Sequence, residues 1–211
     1  MASFEVERQI LERGCSRIAG VDEAGRGALF GPVVAAAVIL PGCWIGAPVG
    51  GWLKEVNDSK LLSPAKRKDL AGRIASAAEA IGVGVATSRE VDQKNIYWAS
   101  LEAMKRAVDN LSLKPDFLLI DGFKSRKEGF ACPQLGISGG DRKSLSIAAA
   151  SIVAKVVRDE MIVLLEGAFG GYYLAKNKGY GTREHYRALR ERGPTPLHRL
   201  TFNLRGKVEA G

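Results

Sequence analysis

The stretch GVDEAGRGALFGP at residues 20–32 places two adjacent carboxylates, Asp22 and Glu23, ahead of three glycines, Gly25, Gly27 and Gly31. Two further acids have comparable surroundings. Asp121 closes the apolar run at residues 117–120, and Asp141 lies in SGGDRKS, just before a long Ala-rich stretch. If strands end and helices begin at these points, the four acids can gather at the carboxyl edge of a sheet, where open α/β sheets hold their ligands. Carboxylates that close repel, and burial raises their pKa values unless cations neutralise them. Oxygen donors without His or Cys select a hard cation, Mg2+ or Mn2+. Taken singly, each acid is more simply a turn or cap residue, a setting in which Asp is common. The set carries the argument.

The glycines run G-x-G-x-x-x-G and precede a strand-like segment, so neither spacing nor context fits a dinucleotide fingerprint. No Walker loop is present. A plain turn needs one or two glycines; three, with Arg26 among them, fit a backbone that must approach another backbone closely. In NDSKLLSPAKR, residues 57–67, the turn formers Asn57, Asp58 and Ser59 precede Lys60, which can reach a phosphate. The same stretch also reads as an ordinary helix entry. Near the C-terminus Tyr180 stands between Gly179 and Gly181, among lysines and arginines. There it is expected to have little local packing and to project, stacking on a sugar or base; the alternative is a tyrosine folded back on the core. His185 and His198 fit structural hydrogen bonding better than catalysis.

The elements that must position these residues follow from pattern. Residues 18–21 and 33–40 read as strands joined by the glycine loop, 80–88 as a third strand, and 117–120 as a central strand buried on both faces. Ser63-Pro64 opens a helix with Leu70, Ile74, Ala77 and Ile81 at helical spacing. A second helix carries the stripe Tyr97, Leu101, Met104, Val108 and Leu111 and is ended by Pro115. Residues 144–169 form a long third helix whose small residues, Ala148 to Ser151, let it lie close on a sheet. Thr182 caps a short fourth, which Gly193-Pro194 stops. Three strands, then helix, strand and helix, point to a mixed α/β sheet with helices packed on it.

The chain has 211 residues, 46% hydrophobic and 26% charged, which suits a globular protein with a sizeable core. Residues 1–211 are read as a single domain, with a lead-in at 1–17 and a basic helical segment from about 168 to 211. No apolar run is long enough to span a bilayer, and the charged N-terminus has no secretory pattern. Cys15, Cys43 and Cys132, odd in number and widely spaced, suit reduced thiols in a cytoplasmic protein. Two histidines and no CxxC pair argue against zinc. Residues 176–211 carry nine basic side chains against three acidic ones, a net +6 of the whole chain's +8. A basic end on a near-neutral body suits a polyanion such as nucleic acid, or a solubilising tail.

IAGVDEAGRG, NDSKLLSPAKR, LLIDG, GDRKSLSIAAASIVAKVVRD and GYGTREHY with GPTPLHRLTF, in this order, resemble the type 2 ribonuclease H (ribonuclease HII) family over residues 17–203. The resemblance implies a ribonuclease H-like fold, a five-stranded mixed sheet flanked by helices. It implies a metal-dependent endonuclease that cuts the RNA strand of RNA–DNA hybrids and the 5′ side of single ribonucleotides in duplex DNA, leaving 5′-phosphate and 3′-hydroxyl ends. The family's metal-binding acids fall on Asp22, Glu23, Asp121 and Asp141, for two Mg2+ or Mn2+ ions. Its ribonucleotide-reading G-R-G loop falls on Gly25, Arg26 and Gly27, and its junction-sensing tyrosine on Tyr180. A monomer acting on nucleic acid, without membrane association, is expected.

Ala28 stands where many members have proline. Gly139 stands where many have a lysine, so that one phosphate contact is missing or is supplied by Arg142. The short segment before Ile18 argues against the type 3 relatives, and the C-terminus shows no clear clamp-binding motif. A non-catalytic hybrid-binding domain, or another ribonuclease H-fold nuclease acting on DNA, is the alternative; the first needs no acidic set, the second no ribose-reading loop.

Overall fold

The computed structural model describes residues 2–122 and 129–206. Residues 207–211, the end of the basic segment, lie outside the described residues, and with them Lys207 and Glu209. In chain order the elements are α1 (Glu5–Leu11), β1 (Ile18–Ala24), β2 (Val33–Ile39), α2 (Gly42–Ile45), α3 (Pro64–Ala77), β3 (Ala80–Ala86), α4 (Ser88–Asp109), β4 (Phe117–Asp121), β5 (Gln134–Ile137), α5 (Leu145–Leu165), α6 (Leu174–Asn177) and α7 (Arg183–Arg192).

The strands form one five-stranded sheet in the order β3-β2-β1-β4-β5. β2 is antiparallel to both β1 and β3, while β1, β4 and β5 run parallel. Helices cover both faces. A Cβ at Gly20 would fall 2.0 Å from the Ser146 carbonyl carbon, so only glycine in β1 admits α5 this closely. Ala148, Ala149 and Ala150 keep the helix side equally thin. On the other face α4 packs on β3, β2 and β1, and buries Leu101, Met104 and Ala107. Side chains such as Leu118, Leu119 and Ile120, buried between the two helical layers, each contribute about 1.5–3 kcal/mol to burial.

Several boundaries differ from the pattern reading, each for a physical reason. β1 runs on from Val21 to Ala24, because Asp22 and Glu23 keep pairing with Ala36 and Ala35 of β2. α3 falls between β2 and β3 and ends at Ala77; Ile81, in helical phase with Ile74, instead pairs with Val38 in the sheet. β3 stops at Ala86, since Thr87 and Glu90 form a capping box that starts α4 at Ser88. α4 kinks at Asn95, whose left-handed backbone (φ 64°) and side-chain oxygen recap the helix at the Tyr97 N–H. Tyr97, beyond that kink, is exposed and stands outside the buried stripe. α4 ends at Asp109, and α5 at Leu165 rather than residue 169.

Four elements carried no clear pattern, the one-turn helices α2 and α6 among them. β5 is a four-residue edge strand containing Gly136, and pairing with β4 makes it a strand. α1 is charge-rich, yet its Glu7 is buried and accepts hydrogen bonds from Ser144 Oγ (2.6 Å) and Ser146 N–H (2.9 Å) at the start of α5.

Candidate active site

Val21 of β1 pairs with Ile120 of β4, and the next residue on each strand is an acid. Parallel register therefore sets Asp22 beside Asp121 at the carboxyl edge of the sheet. Glu23 follows on β1. Asp141 arrives from the turn before α5, tied to the strand by the Gly140 N–H, which donates to Asp121 Oδ1 at 2.6 Å. Asp22 and Asp141 are buried, as is the Glu23 side chain.

The acids already engage protein donors. Asp22 Oδ1 accepts from the Glu23 N–H (2.7 Å), and Glu23 Oε1 pairs with Arg26 Nη1 (3.1 Å). The other Glu23 oxygen is buried with no hydrogen-bond partner. Among the described residues no three acidic, His or Cys side chains converge on one cation-sized point. Burial, then the charges of Glu23 and Asp121, push Asp22 well above the usual carboxylate range. Burial also raises Glu23, with Arg26 opposing. Asp141 is raised by burial and then by Asp58 and Asp121, against Lys60 and Arg142.

A cavity of about 260 Å³ opens over these residues. Asp22, Glu23 and Asp121 line it together with Gly25, Arg26, Gly27, Lys60 and Tyr180. Asp141, also singled out in the sequence, joins through Gly140 and Asp121. Gly25 has a positive φ (94°), and a Cβ there would lie 1.9 Å from Arg158 Nε, so no other residue fits. Gly27 faces open space. Lys60 sits on a turn docked to α5: Asp58 Oδ1 accepts from its N–H, Ser59 Oγ meets Ser151 Oγ at 2.9 Å, and Arg67 Nε donates to the Ser59 carbonyl at 2.9 Å.

Tyr180 corrects the expectation of a loosely packed, projecting ring. Its ring lies against α5, with Lys155 Nζ 5.1 Å and Arg158 Cζ 5.2 Å from the centroid. Its flanking glycines serve close packing: a Cβ at Gly179 would lie 2.7 Å from the Phe30 carbonyl oxygen, and one at Gly181 2.7 Å from the Tyr186 hydroxyl.

The histidines are structural. The Thr195 N–H donates to His198 Nδ1 (2.9 Å), so in a neutral His198 the proton is on Nε2, which donates to His185 Nε2 (3.1 Å). His185 then carries its own proton on Nδ1 and donates it to the Tyr180 carbonyl (2.9 Å). Burial, then His185, lowers His198 to about 4, and burial lowers His185 as well, which keeps both neutral.

A profile of the ribonuclease HII family matches residues 19–205, which contain every residue of this site. The chain belongs to the ribonuclease HII family. Membership makes it a hydrolase of the type 2 ribonuclease H class. The ribonuclease HII of Moorella thermoacetica is 50% identical over 95% of this chain and 93% of its own length. That of Geotalea uraniireducens is 50% identical over 94% and 88%. Among solved structures, the ribonuclease H2 of Pyrococcus horikoshii superposes with a TM-score of 0.73 at 25% identity, covering 90% of this chain and 95% of that one. The ribonuclease HII of Archaeoglobus fulgidus, solved in complex with PCNA, gives 0.73 at 27% identity over 92% and 98%. Bst ribonuclease HIII, solved with Mn2+, shares the fold at 22% identity and a TM-score of 0.65, over 90% of this chain and 68% of that one.

Besides Ala24, three polar cavity residues escaped the pattern reading: Ser59, set aside as a turn former, and Ser151 and Lys155 on α5. The last two had a signal. Ser151, Lys155, Arg158 and Asp159 recur at helical spacing through a largely apolar helix, and Lys155 pairs with Asp159 at 2.7 Å. At Gly139 the backbone is left-handed (φ 63°), and Arg142 folds back over it, its Nε 4.0 Å from Asp141.

Proposed function

We propose that this ribonuclease is a metal-dependent endonuclease that cuts the RNA strand of RNA–DNA hybrids and the 5′ side of single ribonucleotides in duplex DNA, leaving 5′-phosphate and 3′-hydroxyl ends. The observation that carries the reading is the single cavity in which Asp22, Glu23 and Asp121, with Asp141 tethered behind, face the Gly25–Arg26–Gly27 loop and Tyr180. An all-oxygen donor set, a partnerless buried Glu23 oxygen and carboxyl pKa values raised at Asp22 and Glu23 fit Mg2+ or Mn2+. Such cations supply Lewis-acid charge for water attack on the phosphate and for departure of the 3′ oxygen.

Asp22, Glu23, Asp121 and Asp141 are the residues that would hold the cations. Gly25 and Gly27 bring backbone against the ribonucleotide without side-chain obstruction, and Arg26, held by Glu23, reaches the same strand. Lys60 and Lys155 provide the positive charge that a scissile phosphate needs beside carboxylates. Tyr180 offers a ring face to the sugar and a hydroxyl to the 2′-OH. The exposed arginines of α7 follow the duplex backbone. The reading takes residues 1–211 as one catalytic domain of a cytoplasmic monomer.

The deciding assay incubates a DNA duplex containing one ribonucleotide, with and without Mg2+, and maps the product ends. A Mg2+-dependent cut 5′ of the ribonucleotide is expected. A cut at another position, or in an all-DNA duplex, overturns the reading.

A further inference from the structure

Arg158 projects from α5 into the base of the recognition loop and is fully buried. Its three donor groups go to three main-chain carbonyls: Nε to Pro32 (3.0 Å), Nη2 to Phe30 (3.1 Å) and Nη1 to Lys178 (2.9 Å). Among the described residues no carboxylate pairs with it. Gly25 lies directly on its guanidinium, and the Tyr180 ring stands 5.2 Å from its Cζ. One side chain thus touches the glycine loop, the turn that leads into β2, and the segment that carries Tyr180. Lys178 needs such an anchor, because it holds a left-handed backbone (φ 53°) without being glycine.

Arg199 repeats the device from the C-terminal segment. It too is fully buried, and donates from Nε to the Gly31 carbonyl (3.0 Å) and from Nη1 to the Arg26 carbonyl (2.9 Å). Asp159 and Asp92 lend Arg158 and Arg199 some longer-range charge, but a desolvated cation whose hydrogen bonds all go to neutral carbonyls is a poor source of stability compared with an apolar side chain of similar size. What a guanidinium supplies instead is a planar fork that fixes several carbonyls at once.

We propose that Arg158, supported by Arg199, is the positioning residue that joins the Gly25–Arg26–Gly27 loop to Tyr180, and that selection of an isolated ribonucleotide depends on this join. The inference rests on the function proposed above. An isolated ribonucleotide offers one productive register, which the loop and the tyrosine must recognise together. A continuous RNA strand presents a 2′-hydroxyl at every step, so a displaced loop still finds one.

The test compares Arg158→Lys with the unaltered protein on two substrates: duplex DNA with one ribonucleotide, and a uniform RNA–DNA hybrid. Lysine keeps the charge and loses the fork. Its kcat/KM is expected to fall about tenfold more on the single ribonucleotide than on the hybrid, within the range expected when reacting groups are slightly misplaced. The Mg2+ concentration giving half-maximal rate is expected to stay unchanged. Equal losses on both substrates, no loss on either, or a shifted Mg2+ requirement overturns the proposal. Should Arg158→Lys not fold, Arg199→Lys is put through the same comparison with the same criteria. Absence of ribonucleotide-dependent cleavage by the unaltered protein sinks the underlying functional reading itself; intact wild-type cleavage with an unselective loss in the variant sinks only this inference.

Discussion

Asp22 and Asp121 are placed by the register of two parallel strands, whereas Gly25, Arg26 and Tyr180 sit on irregular backbone. The first region is rigid because each acid continues a hydrogen-bonded ladder. It is also electrostatically crowded, since burial raises Asp22, Glu23 and Asp141, and the charge of Asp121 adds to each. The second region has little ladder of its own. It is held by two buried arginines on the carbonyls of residues 26, 30, 31, 32 and 178, and by a histidine on the Tyr180 carbonyl. Like charges can be crowded only where the backbone cannot yield, while a surface that must fit a ribose can be built from loops if their carbonyls are tied down.

The sharpest way to break this division is Asp121→Asn. On the proposed reading cleavage falls by roughly two to three orders of magnitude, the scale of losing a charge-stabilising group at a reacting centre, while hybrid binding persists. Without added metal the variant's unfolding midpoint is expected to equal or exceed the parent's, because a charge that repels Asp22 is gone. Near-normal turnover at saturating Mg2+ would remove Asp121 from the metal-binding set.

Tyr180→Ala probes the other region. Loss of an aromatic stacking face costs about 1–3 kcal/mol for a base, so cleavage of a single ribonucleotide should drop by roughly five- to 150-fold. Tyr180→Phe should be mild, and both losses smaller on a continuous RNA strand. Equal losses on both substrates would make the tyrosine a packing residue against Lys155 and Arg158.

Charge on α7 tests a weaker interaction. Arg187 and Arg190 are exposed on that helix, and replacing both with Gln should reduce the slope of log affinity against log salt by roughly 0.9 for each phosphate no longer neutralised. An unchanged slope would make them solubilising residues only.

The smallest effect is in pH. The folded pKa of His198, about 4, lies below that of an unfolded histidine, so the unfolded state binds more protons between about pH 6.5 and 4. The His198 contribution is therefore complete above pH 6.5 and is lost as pH falls towards 4. The raised carboxylates Asp22, Glu23 and Asp141 act in the opposite sense. In metal-free protein, His198→Gln should flatten the decline of the unfolding midpoint on acidification by roughly a few degrees. An unaltered pH profile would show that the histidine pair carries no such linkage.

The acids and glycines were legible because local chemistry marks them: adjacent carboxylates, apolar runs ending in Asp, and glycines at positions few other residues tolerate. The surroundings of Tyr180 were not legible. Its flanking glycines suggested freedom, yet they serve close packing on Phe30 and Tyr186, residues far from each other in the chain. Arg158 shares the polar stripe of α5, but nothing local marks what it or Arg199 binds, since a guanidinium bound to carbonyls leaves no hydrogen-bonded acid to find.

By itself the chain determined which segments supply four of the five strands, where α3, α5 and α7 begin, and which acids stand at strand ends. These depend on propensity, capping and hydrophobic period within a few residues. Tertiary structure alone decided that β1 continues through Asp22 and Glu23, that the weak segment at 134–137 becomes an edge strand, and that the Tyr180 ring lies against Lys155 and Arg158. The reason is the same each time: the stabilising partners, β2, β4 and α5, are supplied by residues distant in sequence, whose approach no local pattern encodes.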